Sequence, residues 1–104
     1  MVKISVMYVN KPGARFDHEY FRDRHMPLVM QRLGSRCVSY TIDRGLAGRA
    51  PGLAAPFAAM SHILCESVEA FHSGLEQHAA VLMGDIRHYT DMERTIQVSE
   101  VVVG

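Results

Sequence analysis

The run Phe57-Ala58-Ala59-Met60-Ser61-His62-Ile63-Leu64-Cys65 is followed, after Glu66, by Ser67 and then by Val68, Phe71, Leu75, His78 or Ala79, and Leu82. The spacing predicts a strand over 57–65 and then an amphipathic helix with Ser67 as its N-cap. The strand is apolar on both parities, with Phe57, Ala59 and Ile63 on one side and Met60 and Leu64 on the other. A sheet built around it must therefore be covered on both faces. Ile86 and Tyr89 either extend the helix stripe through Gly84 or close it with a separate short turn.

Working outward, Val2, Ile4, Val6 and Tyr8 alternate with Lys3, Ser5, Met7 and Val9 ahead of Asn10-Lys11-Pro12-Gly13, which reads as a first strand and its exit. Phe16 and Phe21 bracket Asp17 as a hydrophobic staple around an N-cap, so a helix starts there. Its stripe is Phe21, His25, Leu28 or Val29, and Arg32 or Leu33, with Gly34 as the stop. Pro27 falls inside that stripe, and the bond it removes predicts a kink or break around His25-Met26. Val38, Tyr40 and Ile42 form a second strand, and Gly45 to Pro56 a long loop. Ile96, Val98 and Val101 to Val103 supply the last strand. The order β, α, β, β, α, β predicts an α+β fold in one domain over 1–104: a ferredoxin-like sandwich with two helices on a four-stranded antiparallel sheet.

Two helices cover one sheet face, and apolar residues on both parities of the first, third and fourth strands call for a second cover. A second copy of the chain meets that need, giving a homodimer in which two sheets pair as a dimeric α+β barrel. A small apolar chamber would then lie within each half or between subunits. The 104 residues suffice for a core without metal or disulfide staples. Lys plus Arg equals Asp plus Glu, 11 against 11, so nucleic acid is not an expected partner. No 18-residue apolar stretch or secretory signal appears, which predicts no membrane span and a cytoplasmic location. Cys37 and Cys65 fit no zinc or disulfide framework and are expected as free thiols. The six histidines form no His-x-His or His-Glu-x-x-His pair, and no metal or cofactor is expected; haem alone needs only one axial histidine and no motif. Dinucleotide fingerprint, phosphate loop and Gly-x-Ser-x-Gly elbow are all missing.

Phe16-Asp17-His18-Glu19-Tyr20-Phe21 leading to His25-Met26-Pro27-Leu28, then Pro51-Gly52, Ala55-Pro56-Phe57, Met83-Gly84-Asp85-Ile86-Arg87-His88-Tyr89-Thr90 and Ile96-Gln97-Val98-Ser99-Glu100, together resemble the EthD family across essentially the whole chain. The resemblance implies ferredoxin-like subunits paired as dimeric α+β barrels. It also implies a place among cofactor-free monooxygenases, lactone isomerases, polyketide cyclases and some haem proteins. The family's His-x-Pro maps onto His25 and Pro27, and its Asp-Ile-Pro-Asn-Tyr-Thr becomes Asp85-Ile86-Arg87-His88-Tyr89-Thr90, with the turn residues changed.

His25 sits on the buried stripe beside Pro27. It reads either as a structural histidine that ties the kink together or as a general base facing the chamber. Asp85 and Tyr89, four apart, share one face if the segment is helical; Asp85 orients the histidine and Tyr89 or Tyr20 donates to an oxyanion in the catalytic reading, whereas Asp85 caps a short turn and Tyr89 covers the sheet end in the structural one. Tyr8, Tyr20 and His62 are the substrate-contact candidates. His62 is either a core or interface histidine or a ligand contact, with Ser5, Ser99 or Tyr8 as its partner. Two functions remain open. One is cofactor-free proton transfer on a small apolar, oxygen-bearing metabolite, as in an isomerase, cyclase or monooxygenase. The other is noncatalytic ligand binding by an accessory dimer.

Overall fold

The computed structural model describes residues 1–104. Strand β1 spans Val2–Val9. A first helical run follows, made of a short α1 (His18–Tyr20), a π-helical segment (Phe21–His25) and α2 (Met26–Leu33). After a 3₁₀ turn at Gly34–Arg36 come β2 (Cys37–Arg44), β3 (Phe57–Cys65), α3 (Val68–Ile86) and β4 (Arg94–Glu100). The sheet order is β2-β3-β1-β4 with every neighbouring pair antiparallel, so the two helical runs lie on one face of a ferredoxin-like sheet. No helix is long and apolar enough to cross a membrane.

The local signals act as the sequence predicts. Asp17 accepts the Tyr20 N–H and Ser67 accepts the Ala70 N–H, each from an extended N-cap conformation. Gly34 ends α2 at φ 62, where a side chain would be strained. Pro27 enters α2 in its first turn, where its missing N–H is tolerated, and the helix widens ahead of it instead of breaking. The Met26 N–H reaches back to Phe21 O, the i to i−5 bond of a π turn, and Phe21 and His25 within this segment are both buried. Helix α3 runs straight through Gly84 to Ile86. β4 ends at Glu100, so Val101 to Val103 lie beyond the strand, with Val102 and Val103 exposed.

Register decides which parity meets the helices. Ile4, Val6 and Tyr8 pair with Ile63, Ser61 and Ala59 on one side and with Val98, Ile96 and Arg94 on the other, and this set faces the helices. The opposite face carries Met7, Met60 and Leu64 among Ser5, His62 and Asp43. On β4 the open positions are Thr95, Gln97 and Ser99, so that strand is apolar on its helix side only and the expectation of two apolar faces there is corrected.

A second correction concerns the cysteines. Cys37 and Cys65 stand opposite each other where β2 meets β3, with Cα atoms 4.2 Å apart, and are joined as a disulfide. The expectation of free thiols came from their separation of 28 residues, which matches no motif, whereas the pairing is produced by strand register. Closing a loop of that length contributes about 3.5 kcal/mol in the chain-entropy description. Replacing both cysteines by alanine should lower the unfolding free energy by about 2–4 kcal/mol in denaturant melts. Thiol titration of the unreduced, denatured protein should find no free thiol, and two titratable groups would overturn the bridge.

Candidate functional site

The segment before α1 is stapled to the segment after α3. Arg15 donates from its guanidinium to Arg87 O at 2.8 Å and His88 O at 3.2 Å, satisfying carbonyls at the helix end, and its amide donates to Asp91. Thr90 Oγ1 donates to Arg15 O at 2.7 Å, the Asp17 N–H donates to Tyr89 O at 2.7 Å, and Phe16 and Thr90 form an isolated β-bridge. These long-range bonds set Tyr20 and His25, on the first helical run, against Asp85 and Tyr89.

Asp85 accepts from both sides. Its Oδ1 takes the Tyr20 hydroxyl at 2.7 Å and its Oδ2 takes His25 Nδ1 at 2.9 Å. An ionised carboxylate only accepts, so Nδ1 carries a proton and, in the neutral ring, Nε2 is left as an acceptor. Nε2 makes no hydrogen bond with the protein, although His25 is only 5% exposed. Burial lowers the His25 pKa against the opposing pull of Asp85, so the imidazole is neutral at pH 7. Burial raises the Asp85 pKa, but the bonds from Tyr20 and His25 outweigh it and hold the carboxyl below its usual range.

His25 lines an apolar cleft of about 80 Å³ between the helices and the helix side of the sheet. Ile4, Ile63, Met26, Val29, Phe71 and Leu82 form much of its wall, and Tyr8, Ser61 and Arg94 are its other polar members. The Tyr8 and Tyr89 hydroxyls are 2.7 Å apart. Burial raises both phenol pKa values, so both hydroxyls keep their protons and share one hydrogen bond that either can donate. When Tyr89 is the donor, the Tyr8 proton is free for the cleft. Tyr89 itself, fully buried among the rings of Tyr8, Phe16, Phe21 and His25, stands behind Tyr8 and does not line the cleft. Tyr20 is likewise outside the lining, its hydroxyl committed to Asp85, which raises its own pKa.

His62 lies on the open face, away from this cluster. Its Nδ1 is 2.8 Å from Ser5 Oγ and its Nε2 is 3.1 Å from Asp43 Oδ2, so Ser5 is the partner among the three anticipated. The row has the order of a serine-activating triad. Ser5 and His62, however, sit on the two central strands, whose amides are engaged in the ladders, leaving no pair of N–H groups for an oxyanion. Arg94 and Ser61 are cleft residues that sequence reasoning missed. An arginine in phase with Ile96 and Val98 at the head of β4 was the available signal for the first. No group of three or more His, Cys, Asp or Glu side chains is gathered as a metal site.

The EthD domain profile matches residues 14–93, which contain the stapled segments, Tyr20, His25, Asp85 and Tyr89. The chain belongs to the EthD family. It is 50% identical to an EthD-like protein from Ralstonia eutropha of known crystal structure, with a TM-score of 0.96 over 98% of this chain and 92% of that one. An EthD family protein from Bacillus halodurans matches at 16% identity and a TM-score of 0.71, over 96% of this chain and 97% of the other. A dimeric ferredoxin-like protein from an uncultured marine organism matches at 10% identity and a TM-score of 0.63, over 100% and 97%. No curated protein matches. In this EthD chain the altered turn Arg87-His88 keeps its function in the fold through the backbone, since the two carbonyls are the ones Arg15 binds.

The pKa directions fix the sign of a pH effect. His25 and Asp85 both have folded-state values below their unfolded ones, so the stability each contributes is fully present above the unfolded value and is lost as pH falls through the folded one. Unfolding free energy should therefore begin to fall below about pH 6.5, where an unfolded histidine titrates, and fall again in the carboxylate range. His25→Gln should reduce the first loss to the share of His18, whose pKa burial also lowers, and leave the second partly in place, as followed by denaturant melts across pH. Tyr89→Phe, which leaves the Tyr8 hydroxyl without its buried partner, should cost about 1–2 kcal/mol in the same melts at pH 7.

Proposed function

We propose that this EthD protein binds a small apolar, oxygen-bearing metabolite in the cleft and catalyses a cofactor-free proton transfer on it. The observation that carries this reading is that His25 lines an apolar cleft with Nδ1 held by Asp85 and Nε2 without a partner in the protein. Here a neutral imidazole presents a lone pair to the bound molecule, and the Asp85 carboxylate steadies the imidazolium that forms when it takes a proton. Tyr20 keeps Asp85 ionised and oriented. Tyr8, backed by Tyr89, donates to the oxygen on which charge develops. Isomerisation and cyclisation need only this proton transfer, and a monooxygenase-like outcome needs in addition a substrate whose anion reacts with oxygen.

The working unit in this reading is a homodimer. Met7, Met60 and Leu64 lie on the sheet face that the helices leave uncovered, and one protein of the same fold is described as dimeric. The paired sheets form the barrel, and each subunit keeps its own cleft on the helix side.

Small enolisable ketones, phenylacetone among them, provide the catalytic test. The protein should accelerate exchange of their α-protons in D2O, followed by proton NMR. His25→Gln should reduce that acceleration by about 10²–10⁴-fold with an unchanged melting curve. Saturable binding without accelerated exchange would leave a ligand-binding accessory protein. Assembly is checked by light scattering: the unmodified chain should have the mass of two copies at micromolar concentration, Met60→Asp should yield monomer or aggregate, and the exposed Glu76→Lys should change nothing.

A further inference from the structure

Arg94 is a cation without a carboxylate. It heads β4, stands opposite Tyr8 in the β1–β4 register and lines the same cleft as Tyr8 and His25. None of the chain's ion pairs includes it. The hydrogen-bond partner its guanidinium does have is Met83 Sδ, a weak acceptor for a group with five N–H donors. The side chain is half-buried, and the wall it lies against is otherwise apolar, so few protein groups compete for its donors. Its field also reaches the chemistry, disfavouring the charged form of His25 and favouring the ionised forms of Tyr8 and Tyr89.

We propose that Arg94 is the anion-recognising residue of the cleft, and that the substrate is an enolisable carbonyl compound whose carbonyl oxygen, negative once the proton has left, is held by the Arg94 guanidinium and the Tyr8 hydroxyl. The proposal rests on the reading of His25 as base and adds the substrate class to it. In the step, a C–H bond beside the carbonyl breaks and its proton passes to His25 Nε2. The electron pair left on carbon forms the C=C bond of an enolate, and the carbonyl π pair becomes the charge on oxygen between Arg94 and Tyr8. In a substrate with a further C=C bond next to the carbon that loses the proton, the anion is a dienolate, and return of the proton from His25 to its far (γ) carbon shifts that double bond and completes an isomerisation with atoms and electrons balanced. A permanent positive charge aimed at that oxygen acts on the anion more than on the neutral ketone, so it favours the reaction and not merely binding.

The size of the cleft adds to the picture. At about 80 Å³ it is smaller than the roughly 150 Å³ cavity that encloses a benzene ring, so only the reacting end of a ring-sized ligand is enclosed. Met83 and Ile96, each 47% exposed and both lining the cleft beside Arg94, provide apolar surface for the remainder. The substrate is therefore an apolar body with one enolisable, oxygen-bearing end directed inward.

A matched pair of probes separates this proposal from the base reading. At pH 8, where His25 is neutral, benzoate should bind saturably and at least tenfold more tightly than benzyl alcohol, as measured by NMR shift titration, and added salt should weaken only benzoate. Arg94→Met should bring benzoate to the level of the alcohol, a loss of about tenfold or more. Arg94→Lys, which keeps the charge, should retain part of the preference. His25→Gln should leave it intact, because benzoate requires no proton transfer. Equal binding of the two probes, no saturable benzoate binding, or an Arg94→Met variant that still prefers benzoate would overturn the anion site. Absence of accelerated ketone exchange in the unmodified protein, with the benzoate preference present, would instead sink the base reading alone.

Discussion

The organisation of the site depends on one carboxylate with two donors. Asp85, near the end of α3, receives the Tyr20 hydroxyl on one oxygen and His25 Nδ1 on the other, and so ties the second helix to both ends of the π-helical segment in the first. Each bond compensates part of the cost of burying the other group. Together they leave a single imidazole nitrogen unused, and its position in the cleft follows from the chain geometry that Pro27 imposes on Met26 and the turn before it.

That bridge is held by a backbone scaffold. Arg15, Asp17 and Thr90 exchange hydrogen bonds with the carbonyls and amides around residues 87–91, and an aromatic cluster of Tyr8, Phe16, Phe21 and Tyr89 fills the space beneath them. Tyr89 illustrates how a residue acts from behind a site. Its hydroxyl reaches Tyr8 and not the cleft, so it acts on the cleft only through Tyr8. The two sheet faces have separate tasks: the helix side holds the cleft and its four polar members, and the far side holds methionines, a leucine and the Ser5-His62-Asp43 row.

Much of this architecture is written in short-range signals. A serine or aspartate before an apolar stripe, a glycine after one and a proline inside one each act within a turn of the backbone, so Asp17, Ser67, Gly34 and Pro27 could be read without tertiary information. The same holds for strand β3, whose bounds coincide with the run from Phe57 to Cys65. His25 and Asp85 were also legible as candidates, the first as a histidine on a buried stripe beside a proline and both from the family pattern that His25-Met26-Pro27 and Asp85-Ile86 resemble.

By itself, then, the sequence determined the order of elements, the caps, the site of the kink and the residues able to do proton chemistry. The tertiary structure alone decided which of them meet. Strand register turned Val98 toward the helices and His62 away from them, and set Cys37 against Cys65. It also placed Arg94 opposite Tyr8, where an arginine otherwise indistinguishable from the chain's other cations became part of the cleft. The physical reason is the period of two along a strand: moving the pairing by one residue exchanges the two faces, and that choice is settled by contacts between segments distant in the chain.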